Sequence, residues 1–222
     1  MKKTAFVHAM MIVLVAISAC HIGSKVVGSG VRKTEKRDLA PFKAIDVQGA
    51  LDIQATCQKP ESFEIEGDDN ILPLIQSEVR DGVLYLRALK SYRSSKGLSI
   101  RITVPNLESI KTTGAGEFRV QDLKNEKFDL RSTGAPTITA SGESKSVEIH
   151  ATGAGVIDIH RLHAEKANVS SSGAAKIEVY ASEQLDASVS GAGDVSYSGD
   201  PKVVNKNVMG AGSVSKREQI VN

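Results

Sequence analysis

Apolar and polar residues alternate along most of this chain in short runs broken by a recurring glycine-alanine pair. The pair stands at Gly114-Ala115, Gly134-Ala135, Gly153-Ala154, Gly173-Ala174, Gly191-Ala192 and Gly210-Ala211, in steps of 20, 19, 20, 18 and 19 residues. A further, outlying copy is Gly49-Ala50-Leu51. Four positions after each repeated glycine come Phe118, Ile138, Ile157, Ile177, Val195 and Val214, an unbroken apolar column. Six positions after it come Val120, Ala140, Ile159, Val179, Tyr197 and Lys216. Four before it stand Ile110, Leu130, Ile149, Val169, Ala187 and Lys206, so the apolar character fails only in the last copy. Alternation with a period of two on both sides of a fixed corner predicts strand, corner, strand. A unit of about 19 residues is too short for a crossover helix, and none of the repeats shows a helical period. Stacking like units at about 4.8 Å pairs each backbone with the next and buries each apolar column against its own copies. The fold class expected is therefore all-β, a parallel β-helix or β-solenoid.

The corner glycines Gly114, Gly134, Gly153, Gly173, Gly191 and Gly210 imply a bend that needs positive φ or close backbone approach. The alanine beside each implies a corner with room for one methyl. Before the glycine stand Thr113, Thr133, Thr152, Ser172, Ser190 and Met209, a hydroxyl ladder except in the last coil.

Upstream of Gly114 the pattern is irregular. Phe63 and Ile65 mark a short strand, and Asp69 or Asn70 is placed to cap a brief helical turn running from Ile71 to Val79. Two further strands follow, Val83 to Leu89 and Leu98 to Val104, separated by a basic loop from Lys90 to Gly97. These elements predict a strand-rich N-terminal cap over residues 41–113, continuous with a solenoid over 114–216, since an open sheet edge invites aggregation. Cys57 shares the parity of Leu51, Ile53 and Ala55, which places its thiol in the core as a small hydrophobe.

The first residues carry an address. Lys2 and Lys3 precede a largely apolar run from Ala5 to Ile17, interrupted by His8 and closed by small residues, the pattern of a secretory signal over residues 1–19. Ile17-Ser18-Ala19-Cys20 resembles the lipobox of bacterial lipoprotein precursors. That resemblance implies acylation of Cys20 and its exposure as the mature N-terminus. Ordinary cleavage after Ser18 is the alternative, and it would leave a soluble product. His21 follows the cysteine where some inner-membrane lipoproteins carry Asp, which by resemblance favours the outer membrane. Residues 20–40 are polar, with Gly and Ser, and read as a lipidated N-terminus and flexible tether reaching roughly 25 Å.

Lys+Arg number 28 and Asp+Glu 26 in the 222 residues, and removing Lys2 and Lys3 leaves the charges balanced. A neutral mature chain argues against electrostatic nucleic-acid binding. Two cysteines build neither a disulfide framework nor a four-thiolate zinc site. Aromatics make up 4% with no Trp, so the core is aliphatic and rings for stacking on sugars are scarce.

Phe42-Lys43-Ala44-Ile45-Asp46-Val47, the turn Glu66-Gly67-Asp68-Asp69-Asn70, Asp81-Gly82-Val83-Leu84, Val104-Pro105-Asn106-Leu107, the glycine-alanine series and Tyr197-Ser198-Gly199-Asp200-Pro201 occur in order. In these features the chain resembles the bacterial putative autotransporter-adhesin family, the head-GIN domain proteins, over roughly Pro41 to Ser215. The resemblance implies an exported, envelope-associated β-helical domain with no assigned enzymatic activity.

Chemistry is sparse. Gly-Ala-Gly enters a strand here, whereas a dinucleotide-binding turn opens a helix, and the single Asp194 after Gly193 does not repeat as calcium-binding nonapeptides require. One polar constellation follows from stacking: Asp158 and His160 share an outer face, with Glu178 and Tyr180 above them in the next coil and Glu148, His150 and His163 as possible neighbours. Carboxylate and imidazole together can act as acid and base or hold a metal, although solvated charges are the commoner content of such a face.

The expectation is a non-enzymatic envelope lipoprotein presenting a β-solenoid as an adhesin-like binding or structural surface. No catalytic residue, cofactor or metal is assigned. The expected partners are the membrane through Cys20 and an envelope glycan or protein. The alternatives are a carbohydrate-active β-helix enzyme working through Asp158, His160 and Glu178, and a periplasmic regulatory module with a protein partner. Among the loops, Ser91 to Lys96 is basic and available to an anionic glycan.

Overall fold

The computed structural model describes residues 25–217; residues 1–19, read above as a signal, and Cys20 lie outside them. Each repeat is a strand, a glycine corner and a second strand, and successive repeats stack in parallel register. One wall is built from the strands before the corner: β3 (Ala44–Gly49), β10 (Ser109–Gly114), the later parts of β11 (Glu117–Gly134), β12 (Thr137–Gly153) and β13 (Val156–Gly173), then β15 (Gln184–Gly191) and β17 (Val203–Gly210). The second wall is built from the strands after the corner: β4 (Asp52–Thr56), the early parts of β11, β12 and β13, then β14 (Lys176–Tyr180), β16 (Asp194–Ser198) and β18 (Ser213–Lys216). The fold is the β-solenoid expected from the repeat.

The apolar columns are its interior. Ile53, Phe118, Ile138, Ile157, Ile177 and Val195 are paired coil to coil and at most 2% exposed. On the other wall Ile45, Ile110, Leu130, Ile149, Val169 and Ala187 form an equally dry column. Each wall therefore supplies a continuous aliphatic strip, worth about 1.5–3 kcal/mol per large side chain buried.

At the corner both expected causes of the glycine operate together. Gly114, Gly134, Gly153, Gly173, Gly191 and Gly210 have φ between 110° and 131°. A Cβ on Gly153 would lie 2.2 Å from the carbonyl oxygen of Gly134, which accepts the Ala154 N–H at 2.9 Å. The adjacent alanine is not the confined position. Ala115, Ala135, Ala154, Ala174, Ala192 and Ala211 face solvent, and the tight site is one residue later, where Pro136, Gly155, Ala175 and Gly193 are buried. The hydroxyls Thr113, Thr133, Thr152, Ser172 and Ser190 do stack in register and are exposed, but among the described residues no hydrogen bond joins one to the next.

Three differences from the sequence reading lie near the N-terminus. First, Gly49 is not an outlier: it pairs with Gly114, so the solenoid begins at β3 and β4, and residues 57–108 are an excursion between the first coil and the second. Second, the excursion contains little helix. Only Leu72–Leu74 make a 3-10 turn, with Ile71 rather than Asp69 or Asn70 at its cap, and β6 (Ile75–Arg80) follows at once, antiparallel to β7 (Val83–Ala88). Third, the expected tether is folded from Val26 onward. β1 (Val26–Val27) pairs with β8 (Tyr92–Arg93), and β2 (Arg32–Lys36) pairs antiparallel with β5 (Ser62–Asp68). Asn70 accepts the Ser29 N–H at 2.9 Å and donates to the Val27 carbonyl at 2.8 Å, and Arg37 donates to the carbonyls of Ile75 and Leu72. A polar composition marks a segment as exposed, but strand pairing needs only backbone groups, which composition does not report.

Cys57 is buried, 1% exposed, and burial together with the Asp122 carboxylate pushes its thiol up to about 11. It is an inert part of the core, as its parity implied.

The C-terminal coil closes the solenoid with charge. Lys206 occupies the column of Ala187 and Val169, donates to the Val214 carbonyl at 3.1 Å and holds its ammonium 5.2 Å from the Tyr197 ring centre. Lys216 follows Tyr197 in the other column and pairs with Asp200 at 2.9 Å. Lysine in core columns at an edge denies the next coil an apolar seat. Replacing both with valine should make the chain self-associate by adding coil to coil; sedimentation at matched concentrations should then show larger species than the parent. Gly153→Ala should lower unfolding free energy by about 2–4 kcal/mol, from forced positive φ plus a backbone clash, measured by urea denaturation.

Candidate functional site

Parallel register sets Asp158 of β13 directly opposite Glu178 of β14. Because side chains two apart share a face, His160 and Tyr180 extend the same outer surface. His160 Nδ1 is hydrogen-bonded to Asp158 Oδ1. Glu178, the least exposed of the group at 16%, accepts from Lys176 Nζ at 2.9 Å and from Arg217 Nη1 at 2.5 Å. One donor atom each from Asp158, His160 and Glu178 lies within 4.8 Å of the others. The constellation read from the sequence is thus assembled.

Its expected neighbours divide. His163 does join: its ring stacks on Tyr180 with centroids 4.6 Å apart and planes tilted by 32°. Glu148 and His150 instead lie on the other wall, past the bend in β12, in a separate group. There His150 Nε2 meets Glu148 Oε1 at 3.0 Å and Lys127 Nζ meets Oε2 at 2.8 Å. Lys127 first and His150 second hold the Glu148 carboxyl at about 2, well below its ordinary 4.5.

Tyr180 and His163 also form part of something the sequence reading missed. Between the two walls each long strand bends, and the bends stack into a groove of about 1010 Å³ running along the coils. Its floor carries Lys124, Glu143 and His163 in one register column. Beside it run Glu126, Lys145 and Glu165, with Lys145 and Glu126 paired at 2.6 Å. In this second column signs alternate from coil to coil, so like charges do not meet there at the strand spacing. The sign alternation was present in the sequence beyond the corner-centred columns, and Gly142, outside the corner series, was the one local signal that the strand bends there. The bend is made by Asp122 at φ 57° and by Gly142 at φ 130°, with register shifts at Val120/Leu123 and Thr139/Ser141. The basic loop from Ser91 is not part of this surface. Tyr92 packs against the core, and Ser91 accepts the Val26 N–H through its carbonyl at 2.9 Å.

The chain belongs to the putative auto-transporter adhesin, head GIN domain family, whose profile matches residues 41–201. A putative adhesin from Bacteroides fragilis NCTC 9343 is 26% identical and superposes with a TM-score of 0.70, covering 86% of this chain and 100% of that one. A protein of Parabacteroides distasonis ATCC 8503 described as a putative lipid binding protein is 20% identical with a TM-score of 0.53, over 88% of this chain and 100% of that one. The second likeness shows the fold alone. No curated protein matches the chain. The family and these neighbours carry adhesin or lipid-binding descriptions and none of an enzyme. No helix among the described residues is long and apolar enough to cross a membrane.

Because the Glu148 carboxyl is depressed in the fold, its contribution to stability is complete above its ordinary 4.5 and is lost as pH falls toward about 2. Glu148→Gln should therefore melt lower than the parent at neutral pH, by less than about 1 kcal/mol for so solvated a group. The gap should close across that acid range in thermal scans.

Proposed function

We propose that this chain is a non-enzymatic, lipid-anchored envelope protein that uses its β-solenoid as an adhesin-like binding surface, with the groove as the contact. The observation that carries the reading is that groove, about 1010 Å³ and continuous over several coils, in a member of an adhesin family. A rigid stack of coils presents fixed polar groups at strand spacing without an ordering cost on binding, which favours recognition of an extended polar ligand. Lys124, Glu143 and Glu165 are exposed along it and offer donors and acceptors, and the stacked rings of Tyr180 and His163 supply a flat platform. These are the elements with which proteins hold glycans: planar hydrogen-bonding groups to fix hydroxyls and a ring to cover an apolar sugar face.

Anchoring rests on the lipobox-like Ile17-Ser18-Ala19-Cys20. Several acyl chains at about 0.8 kcal/mol per buried CH₂ would hold the domain at the membrane almost irreversibly. With β1 beginning at Val26, few residues separate the acylated cysteine from the folded cap, so the solenoid would stand close to the membrane.

Two experiments test the two halves. Metabolic labelling with an alkyne fatty acid should tag the parent chain and not Cys20→Ala; equal labelling would remove the anchor. On an array of neutral and anionic envelope glycans the parent should bind a defined subset. Tyr180→Ala should weaken that binding about tenfold, in keeping with a stacking contact worth about 1.4 kcal/mol. An array without signal, or one indifferent to both Tyr180→Ala and Lys145→Glu, would sink the groove as the contact.

A further inference from the structure

We propose that Asp158, His160 and Glu178 form a binding site for a divalent transition-metal ion of the zinc class, on the outer face where β13 meets β14. The sequence placed these residues on one face but assigned no metal, because solvated charges are the commoner content of such a face; the parallel register sets Asp158 and Glu178 directly opposite each other.

Geometry comes first. The strand spacing of about 4.8 Å puts the two carboxylates close enough to share one ion, and the i, i+2 relation brings the imidazole to the same face. The three donor atoms already lie within 4.8 Å of one another. Ligands held about 2.0–2.2 Å from a tetrahedral ion stand roughly 3.5 Å apart, so closure needs side-chain rotations of about an ångström and no backbone movement. The hydrogen bond from His160 Nδ1 to Asp158 is the contact that a shared ion replaces.

The donor chemistry selects the ion. One imidazole nitrogen with two carboxylate oxygens suits zinc, cobalt or manganese. Calcium and magnesium prefer all-oxygen shells, and copper(I) prefers sulfur. With Asp158 at 37% and His160 at 30% exposed, the remaining coordination positions face solvent and would carry water.

The charge balance sets the strength. Two facing carboxylates repel, and Lys176 and Arg217 relieve this by binding Glu178. Both are exposed on long side chains, Lys176 at 63% and Arg217 at 49%, so an ion can displace them, at a cost that lowers affinity. Arg217 thus competes with an ion for Glu178, and the effect of removing it separates a metal centre from an ordinary ion-pair cluster. Tyr180 continues the same face into the groove wall, so a bound ion would stand at the edge of the groove, yet the site does not depend on what the groove holds.

The test titrates the full chain with Co²⁺, read by its visible absorption bands, and with Zn²⁺ by calorimetry. Expected is saturable one-to-one binding below about 1 mM, with Zn²⁺ displacing Co²⁺. His160→Ala and Glu178→Gln should each weaken it at least about tenfold, whereas Arg217→Ala should strengthen it severalfold. All three positions are on the surface, and unchanged circular dichroism and melting would show that the variants fold. Absence of binding at 1 mM, binding that survives both ligand substitutions, or weakening by Arg217→Ala would each overturn the proposal.

Discussion

Away from the bends, the strand residues of this solenoid sit opposite their own counterparts one coil away. That in-register parallel stacking is the constraint on which the rest depends, because it turns every property of a side chain into a property of a column. An apolar column buries itself, as Phe118, Ile138, Ile157 and Ile177 do. A glycine column permits a sharp corner only if each member lacks a Cβ, since the carbonyl of the coil below occupies that space. A column of one sign would be repulsive, and along the groove Glu126, Lys145 and Glu165 avoid it by alternating sign.

The same constraint explains why the ends differ from the middle. A stack of coils has two open ends, each offering unpaired backbone and apolar columns to any similar chain. At the N-terminal end the chain answers with added structure: β6 turns antiparallel against β7, and β2 and β5 cover the other wall beyond β9 (Ser99–Thr103). At the C-terminal end it answers with lysine in the core columns, over the ring of Tyr197. One end is capped by folding more chain, the other by making the interior unattractive to a further coil.

Function on such a scaffold belongs to whatever the coils bring together on the outside. The groove exists because the strands bend at Asp122 and Gly142, and the Asp158, His160 and Glu178 cluster exists because two coils register at one residue pair. Neither feature requires the other, and both use side chains the core does not need. The scaffold can therefore vary its outer columns without disturbing the columns that hold it up, which suits a family defined by fold and described as adhesins.

The amino-acid sequence alone determined the repeating coil, the glycine corners, the dry columns and the buried Cys57, because periodic stacking writes tertiary contacts into sequence as a repeat of about 19 residues. It also brought Asp158 and Glu178 to adjacent coils by the same arithmetic. What it left open is all non-periodic. The pairing of Arg32–Lys36 with Ser62–Asp68, the seating of Gly49 beneath Gly114 across a long excursion and the bend that opens the groove follow from contacts between segments with no shared spacing. Backbone hydrogen bonding makes such contacts without regard to side-chain pattern. Only the tertiary structure decides which distant strands meet, and with them where the solenoid begins and which outer residues face one another.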